Sequence, residues 1–243
     1  MKKYEQYYQK ILEIEKQIIT DEAEKIERVS RELALTLKRE NSVYLFGCGH
    51  SHILEEEAFY RAGGLVPVYP VFDSALMLHE GACKSSALEK QEAYGGYVFD
   101  RLSVQPGDMM FVFSTSGRNG CPIEMAMRAR QAGATVVVVT SLVYREKEES
   151  RHSSGKHLCE VGDIIIDNHV PYGDALIDTG SQRIAPCSTV LTAMIWNMII
   201  AQTYDAAAEI DYVPEYFMSG NISGGAQANA KYIEKYKAKI HYL

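Results

Sequence analysis

Two glycine-bounded runs of hydroxyl, imidazole and amide side chains carry the chemistry most readily read from this chain. The first, Gly47-Cys48-Gly49-His50-Ser51-His52, follows the apolar run Val43-Tyr44-Leu45-Phe46. The second, Ser114-Thr115-Ser116-Gly117-Arg118-Asn119-Gly120, follows Met109-Met110-Phe111-Val112-Phe113. Glycine lets a backbone turn tightly and brings its N–H groups close to an anion. A helix starting at such a turn adds unsatisfied donors and the positive end of its dipole. Ser51, Ser114, Thr115 and Ser116 contribute hydroxyls and Asn119 an amide, a donor set that matches the oxygens of a sugar phosphate. The expected substrate-binding set is therefore Gly47, Gly49, His50, Ser51, Ser114, Thr115, Ser116, Gly117 and Asn119. Either run alone would also serve as a helix N-cap, a position that Ser, Thr and Asn favour. The second is denser than capping requires, and two such runs at equivalent strand ends favour a ligand site. A nucleotide ranks lower. The first run lacks the third glycine of a dinucleotide fingerprint, and no Gly-Lys-Ser/Thr is present for a Walker loop.

Proton transfer at a sugar needs an acid–base pair near these loops. Glu55, Glu56 and Glu57 follow the first loop by one to two helical turns. Successive helical residues are about 100° apart, so one or two of the three face the site, and Glu56 is the choice. His50 and His52 flank Ser51, and His79 precedes Gly81 in a loop from another strand end. The expected catalytic set is Glu56, His52 and His79. His169 and Asp174, Arg61, and Asn221 in the donor-rich segment 219–225 are further candidates for ligand contact. No third ligand stands near His50 and His52, so no metal is expected, and the chemistry requires no cofactor.

The elements that must position these groups alternate. Apolar runs at 43–46, 65–71, 109–113, 135–140 and 163–167 read as buried strands, with Pro67 and Pro70 placing the second at an edge. Residues 175–177 read as a further strand. Helical stretches fall at 51–62, 88–101, 121–132 and 188–204. This alternation predicts an α/β fold with a doubly wound parallel sheet, whose ligands bind beyond the carboxyl ends of the strands. Ahead of the sheet, Ile11, Ile14, Ile18, Ile26, Val29, Leu33 and Leu37 share one face of a long helix over 4–40. Segment 144–157 is charged and reads as a mobile surface loop. The expected organisation is a single domain over 1–243, with an N-terminal helical arm at 1–40 and a C-terminal loop and helix at 206–243.

Composition bounds the partners. The 243 residues carry a net charge of −7, against the basic footprint that general nucleic-acid or membrane-surface binding needs. The five cysteines, Cys48, Cys83, Cys121, Cys159 and Cys187, are scattered and form no Cys-x-x-Cys pair. The N-terminus runs from two lysines into glutamates rather than an apolar segment. The expectation is a cytoplasmic, reduced protein.

The second loop resembles the Ser-x-Ser-Gly-x-Thr signature of the SIS (sugar isomerase) domain family, with Asn119 where that family usually has Thr. The first is similar to the family's Gly-x-Gly-x-Ser turn. The resemblance covers roughly residues 30–205 and is supported by Phe59-Tyr60-Arg61-Ala62-Gly63-Gly64 and Val170-Pro171-Tyr172-Gly173-Asp174-Ala175, shared with bacterial SIS-domain proteins described as phosphoheptose isomerases. It implies a flavodoxin-like three-layer sandwich, phosphate held by Ser51, Ser114, Thr115, Ser116 and Asn119, and a homodimer or homotetramer. The family's isomerases and etherases place a catalytic glutamate near the end of the helix after the first loop, where this chain has Tyr60 and Arg61. The resulting expectation is a sugar-phosphate isomerase or lyase. The alternative is a non-catalytic protein that senses a sugar phosphate through the same loops.

Overall fold

Runs rich in valine, isoleucine and phenylalanine form strands when both of their faces are covered, and five do so here. The computed structural model describes all 243 residues. Strands β1 (Val43–Gly47), β2 (Val68–Pro70), β3 (Met109–Phe113), β4 (Thr135–Thr140) and β5 (Ile164–Asp167) pair in the order β2-β1-β3-β4-β5, all parallel. β2 lies at the edge, the place a strand containing Pro70 tolerates. Residues 175–177 extend into β6 (Ala175–Asp178), which pairs antiparallel with β7 (Arg183–Pro186) in a hairpin outside this sheet.

Helices cover both faces, as the alternating side-chain directions of each strand require. They are α1 (Lys3–Asp21), α2 (Ala23–Lys38), α3 (Ile53–Ala58), α4 (Ala82–Glu89), α5 (Glu92–Phe99), α6 (Gly120–Gln131), α7 (Val143–Lys147), α8 (Ser188–Ala208) and α9 (Gly225–Tyr236). Val43, Leu45, Phe111 and Phe113 point to one face, where they meet Val29 and Leu33 of α2 and Leu191, Ile195 and Trp196 of α8. Tyr44, Phe46, Met110 and Val112 point to the other, against Val98 of α5 and Ile123, Met125 and Ala129 of α6. The result is a three-layer sandwich. No helix is long and apolar enough to cross a membrane.

Four elements differ from the sequence expectation, the first being the helix expected over 88–101, which is the end of α4 followed by a separate α5. The N-terminal helix over 4–40 is two helices, broken at Glu22 (φ −110°, ψ 0°). The break lets the Glu22 carboxylate reach the end of β5, where it accepts the Asp167 amide at 3.1 Å. The expected helix over 51–62 begins as a 3-10 turn (Gly49–His52) and ends at Ala58, with Tyr60 in the left-handed region at φ 48°. The segment expected to be a mobile loop holds α7 and then packs against the second glycine-rich loop. There the Arg118 carbonyl accepts the Arg151 amide at 2.8 Å, and the Arg118 guanidinium pairs with Glu148 at 2.5 Å. Two of its charges, Glu148 and Arg151, are partnered by that loop, while Glu146, Lys147, Glu149 and Lys156 stay exposed.

In the order β2-β1-β3-β4-β5 the winding direction reverses between β1 and β3. The two loops that leave those strands open a crevice at that point, the place where α/β sheets bind ligands.

Candidate functional site

The second loop packs closely on the end of β4. Gly117 has φ +57°, and a Cβ there would lie 2.6 Å from Thr140 Oγ1, so the turn packs directly on β4. Ser114 Oγ accepts the Gly117 amide at 3.3 Å, and the Thr115 carbonyl accepts the Ser141 amide at 3.0 Å. The amides of Thr115, Ser116, Arg118 and Asn119 donate to no acceptor in the chain. In the first loop the Cys48 amide is likewise unpaired, while the Ser51 amide turns back to the Cys48 carbonyl at 3.0 Å. Unpaired N–H groups beside the start of a helix are the donors an oxyanion uses.

Together the loops enclose a cavity of about 360 Å³. Of the expected substrate-binding residues, Gly49, His50, Ser51, Ser114, Thr115, Ser116 and Asn119 line it. Gly47 and Gly117 sit behind it and set the course of the backbone. The structure adds Ser85, Ser86 and Glu89 from α4, Tyr144 from α7, and Asp174 and Ser188 from the hairpin and the start of α8. No Lys or Arg side chain lines the cavity. An anion there would be held by amides and hydroxyls.

Glu89 is the carboxylate of this cavity with an oxygen to spare. Its Oε1 accepts Asn119 Nδ2 at 2.7 Å, and Asn119 Oδ1 accepts Arg151 Nη1 at 2.7 Å. Arg151 thus orients the Asn119 amide so that its NH₂ faces Glu89. Burial pushes the Glu89 carboxyl above the ordinary glutamate range, and the Asn119 bond pulls it partly back. Asp174, by contrast, is consumed by structure. It accepts the Cys187 and Ser188 amides at 3.0 and 2.8 Å and the Ser188 hydroxyl at 2.7 Å, capping the start of α8.

The structure does not bring Glu56, His52 or His79 into the lining. The 3-10 turn rotates His52 inward, where it is buried and stacks on Phe72 at 5.3 Å. Burial lowers its pKa below the usual histidine value, against the nearby Glu56 charge, which favours the imidazolium. Glu56 is exposed with Oε1 3.6 Å from His52 Nδ1, and His79 is exposed. The buried member of the glutamate triplet is Glu55, fully enclosed, whose Oε1 accepts the Gly47 amide at 2.6 Å. It fastens the first loop from behind. Arg61 pairs with Glu57 on the surface, His169 faces Glu22 at 3.6 Å, and Asn221 is exposed.

Burial raises the Glu55 carboxyl well above its ordinary value of 4.5, with the Gly47 bond opposing. The unfolded chain therefore gives up this proton at lower pH than the folded one. Its stabilising contribution is complete below about pH 4.5 and is lost as pH rises through the folded-state value. Glu55→Gln should keep the Gly47 contact and flatten that decline. Urea unfolding of both proteins from about pH 5 to about pH 9 measures it.

Comparisons with known proteins bear on this arrangement. The SIS domain profile matches residues 6–141. A UPF0309 protein of Geobacillus thermodenitrificans (strain NG80-2) is 43% identical over 98% of this chain and 97% of its own length. A phosphoheptose isomerase from Francisella tularensis shares the fold at TM-score 0.53 and 14% identity, over 85% of this chain and 97% of that one. A crystal structure from Silicibacter pomeroyi DSS-3 matches at TM-score 0.52 and 19% identity over 80% of this chain, which spans 48% of that longer chain.

Proposed function

The chain belongs to the SIS domain family, and from that premise we propose that it binds a phosphorylated sugar between its two loops and isomerises it by proton transfer. The observation that carries this reading is the pairing of free loop amides with a half-buried carboxylate. The amides of Thr115, Ser116, Arg118 and Asn119 supply an oxyanion site, and Glu89 stands on the same cavity. The fold shared with a phosphoheptose isomerase supports the choice of reaction.

In this reading the phosphate anchors the sugar on the loop that opens α6, where the hydroxyls of Ser114, Thr115 and Ser116 add to the amides. The open-chain carbonyl then lies toward α4. Glu89, ionised, takes a proton from the carbon next to the carbonyl and leaves an enediolate. The same carboxyl returns that proton to the former carbonyl carbon while the proton of the neighbouring hydroxyl passes to the former carbonyl oxygen, so the aldose and ketose interconvert with no net change in atoms or electrons. A carboxyl whose proton affinity is raised by burial is suited to both halves of that cycle. Asn119 holds Glu89 in place, and Arg151 holds Asn119.

Thermal and chemical stability across a panel of sugar phosphates tests the binding half. A ligand that binds only the folded protein adds roughly 2.7 kcal/mol at 100 times its dissociation constant. Stabilisation by a sugar phosphate, lost in Ser116→Ala, is the expected result. A folded protein that no sugar phosphate stabilises would remove the support for this reading. Stabilisation without interconversion of the bound sugar would favour a sensing role.

A further inference from the structure

On the β4 side the crevice is walled by residues from outside the two loops. The Thr115 carbonyl accepts the Ser141 amide at 3.0 Å and Thr140 Oγ1 at 3.3 Å, so the end of β4 runs directly beside the second loop. α7 starts two residues later, and Tyr144 in its first turn lines the same cavity as Thr115 and Ser116. Asp174 and Ser188 line it too.

The Tyr144 oxygen is fixed at that wall, where it accepts the amide of Gly173, the residue before Asp174, at 3.0 Å. The ring is supported by Tyr172, whose centroid lies 5.2 Å away and whose hydroxyl is bonded to Glu148. A phenol oxygen that accepts an N–H still has its own proton to give. The Tyr144 O–H donates to no acceptor in the chain. Burial raises the phenol above its ordinary pKa of 10, against the Gly173 bond, so the hydroxyl keeps its proton at neutral pH. The rest of the wall is spent. Asp174 accepts the Cys187 and Ser188 amides, and the Ser188 hydroxyl gives its proton to Asp174 at 2.7 Å. Tyr144 is thus the uncommitted donor of the three, in a cavity lined by no Lys or Arg.

The second loop is approached at two ends. Glu89 is bonded to it at Asn119, whereas the β4 end and α7 abut it at Thr115. The two groups therefore have different work. We propose that Tyr144 contacts the ligand directly, its O–H donating to the phosphate at the Thr115 end of the loop while Glu89 serves the sugar at the Asn119 end. This assignment rests on the reading of the crevice as a sugar-phosphate site.

Titration of inorganic phosphate and of glucose 6-phosphate into the wild-type protein, Tyr144→Phe and Tyr172→Phe tests it. Tyr144→Phe keeps the ring and removes the hydroxyl. Gly173 is exposed, so water replaces the lost acceptor, and a melting curve checks that the fold holds. A hydrogen bond to a charged group changes affinity by about tenfold or more, and Tyr144→Phe should weaken both probes by that factor. Tyr172→Phe leaves the Tyr144 hydroxyl in place and should keep both within about threefold. A loss confined to glucose 6-phosphate would put Tyr144 on the sugar and overturn the assignment to phosphate. Unchanged binding of both probes to Tyr144→Phe, or an equal loss in Tyr172→Phe, would overturn the contact itself. A wild-type protein that binds neither probe would instead remove the sugar-phosphate reading, and this proposal with it.

Discussion

Glu89→Gln should lower interconversion of the bound sugar phosphate by about 100- to 10,000-fold, the range that a positioned general base supplies. The substitution preserves size and keeps an oxygen for the 2.7 Å bond from Asn119, so the loop that would hold the phosphate is undisturbed. The loss should therefore fall on kcat, with sugar-phosphate affinity little changed. Glu56→Gln is the matched control. Glu56 is exposed and outside the cavity lining, so its removal should leave kcat within about threefold of wild type. Steady-state kinetics on the three proteins measures both. If Glu56 rather than Glu89 carried the loss, the proton would be moving from the His52 side of the turn, and the role given to Glu89 would be lost. Arg151→Gln offers a graded version. It frees the Asn119 amide to rotate and should reduce kcat less than Glu89→Gln does.

Gly47→Ala should cost stability and binding together. A Cβ at position 47 would lie 2.5 Å from the Ser51 carbonyl oxygen and 2.6 Å from its carbon, both backbone atoms that no side-chain rotation can move away. The first loop must shift or the end of β1 must bend. Overpacking of this kind costs about 1–3 kcal/mol. The shift also carries Ser51 and the Cys48 amide out of place, and a displacement of about 1 Å is enough to cost on the order of 100-fold in function. Gly63→Ala is the contrast, since a Cβ there meets nothing within 4 Å. Its φ of +79° leaves only the smaller penalty of a non-glycine residue in the left-handed region. Denaturant unfolding and sugar-phosphate titration of both variants separate the two effects. Equal behaviour of the two would mean that the close packing at Gly47 does not govern the loop.

Much of this architecture is legible in the residues. The runs 43–46, 109–113 and 135–140 are apolar on both faces and flanked by turns, which leaves a buried parallel strand as the simplest reading. The glycines and hydroxyls after the first two of them mark the crevice. What escapes is everything set by contacts distant in sequence. Glu89 stands in Leu88-Glu89-Lys90-Gln91-Glu92, which reads as a charged surface, and only the fold brings the end of α4 against Asn119 at the start of α6. Asn119, where the SIS signature usually has Thr, provides an amide that can hold a carboxylate on one side and a guanidinium on the other.

Three consecutive glutamates give no phase for a helix, so spacing alone does not tell which of them is buried. Glu55 is the one that shares the buried side with Leu54 and Ala58. The break at Glu22 has no glycine or proline to announce it. The contact it permits is with Asp167, 145 residues away. The charges of 148–157 suggest solvent until the partners Arg118 and Asn119 are seen across the second loop.

The central claim is that the amides and hydroxyls of 114–119 hold a phosphate. A crystal structure of the protein soaked with a sugar phosphate tests it most directly. The account predicts phosphate density over the start of α6, with its oxygens about 2.7–3.2 Å from the amides of that loop and the sugar directed toward Glu89. A sugar phosphate bound elsewhere, with this crevice free of it, would contradict the account.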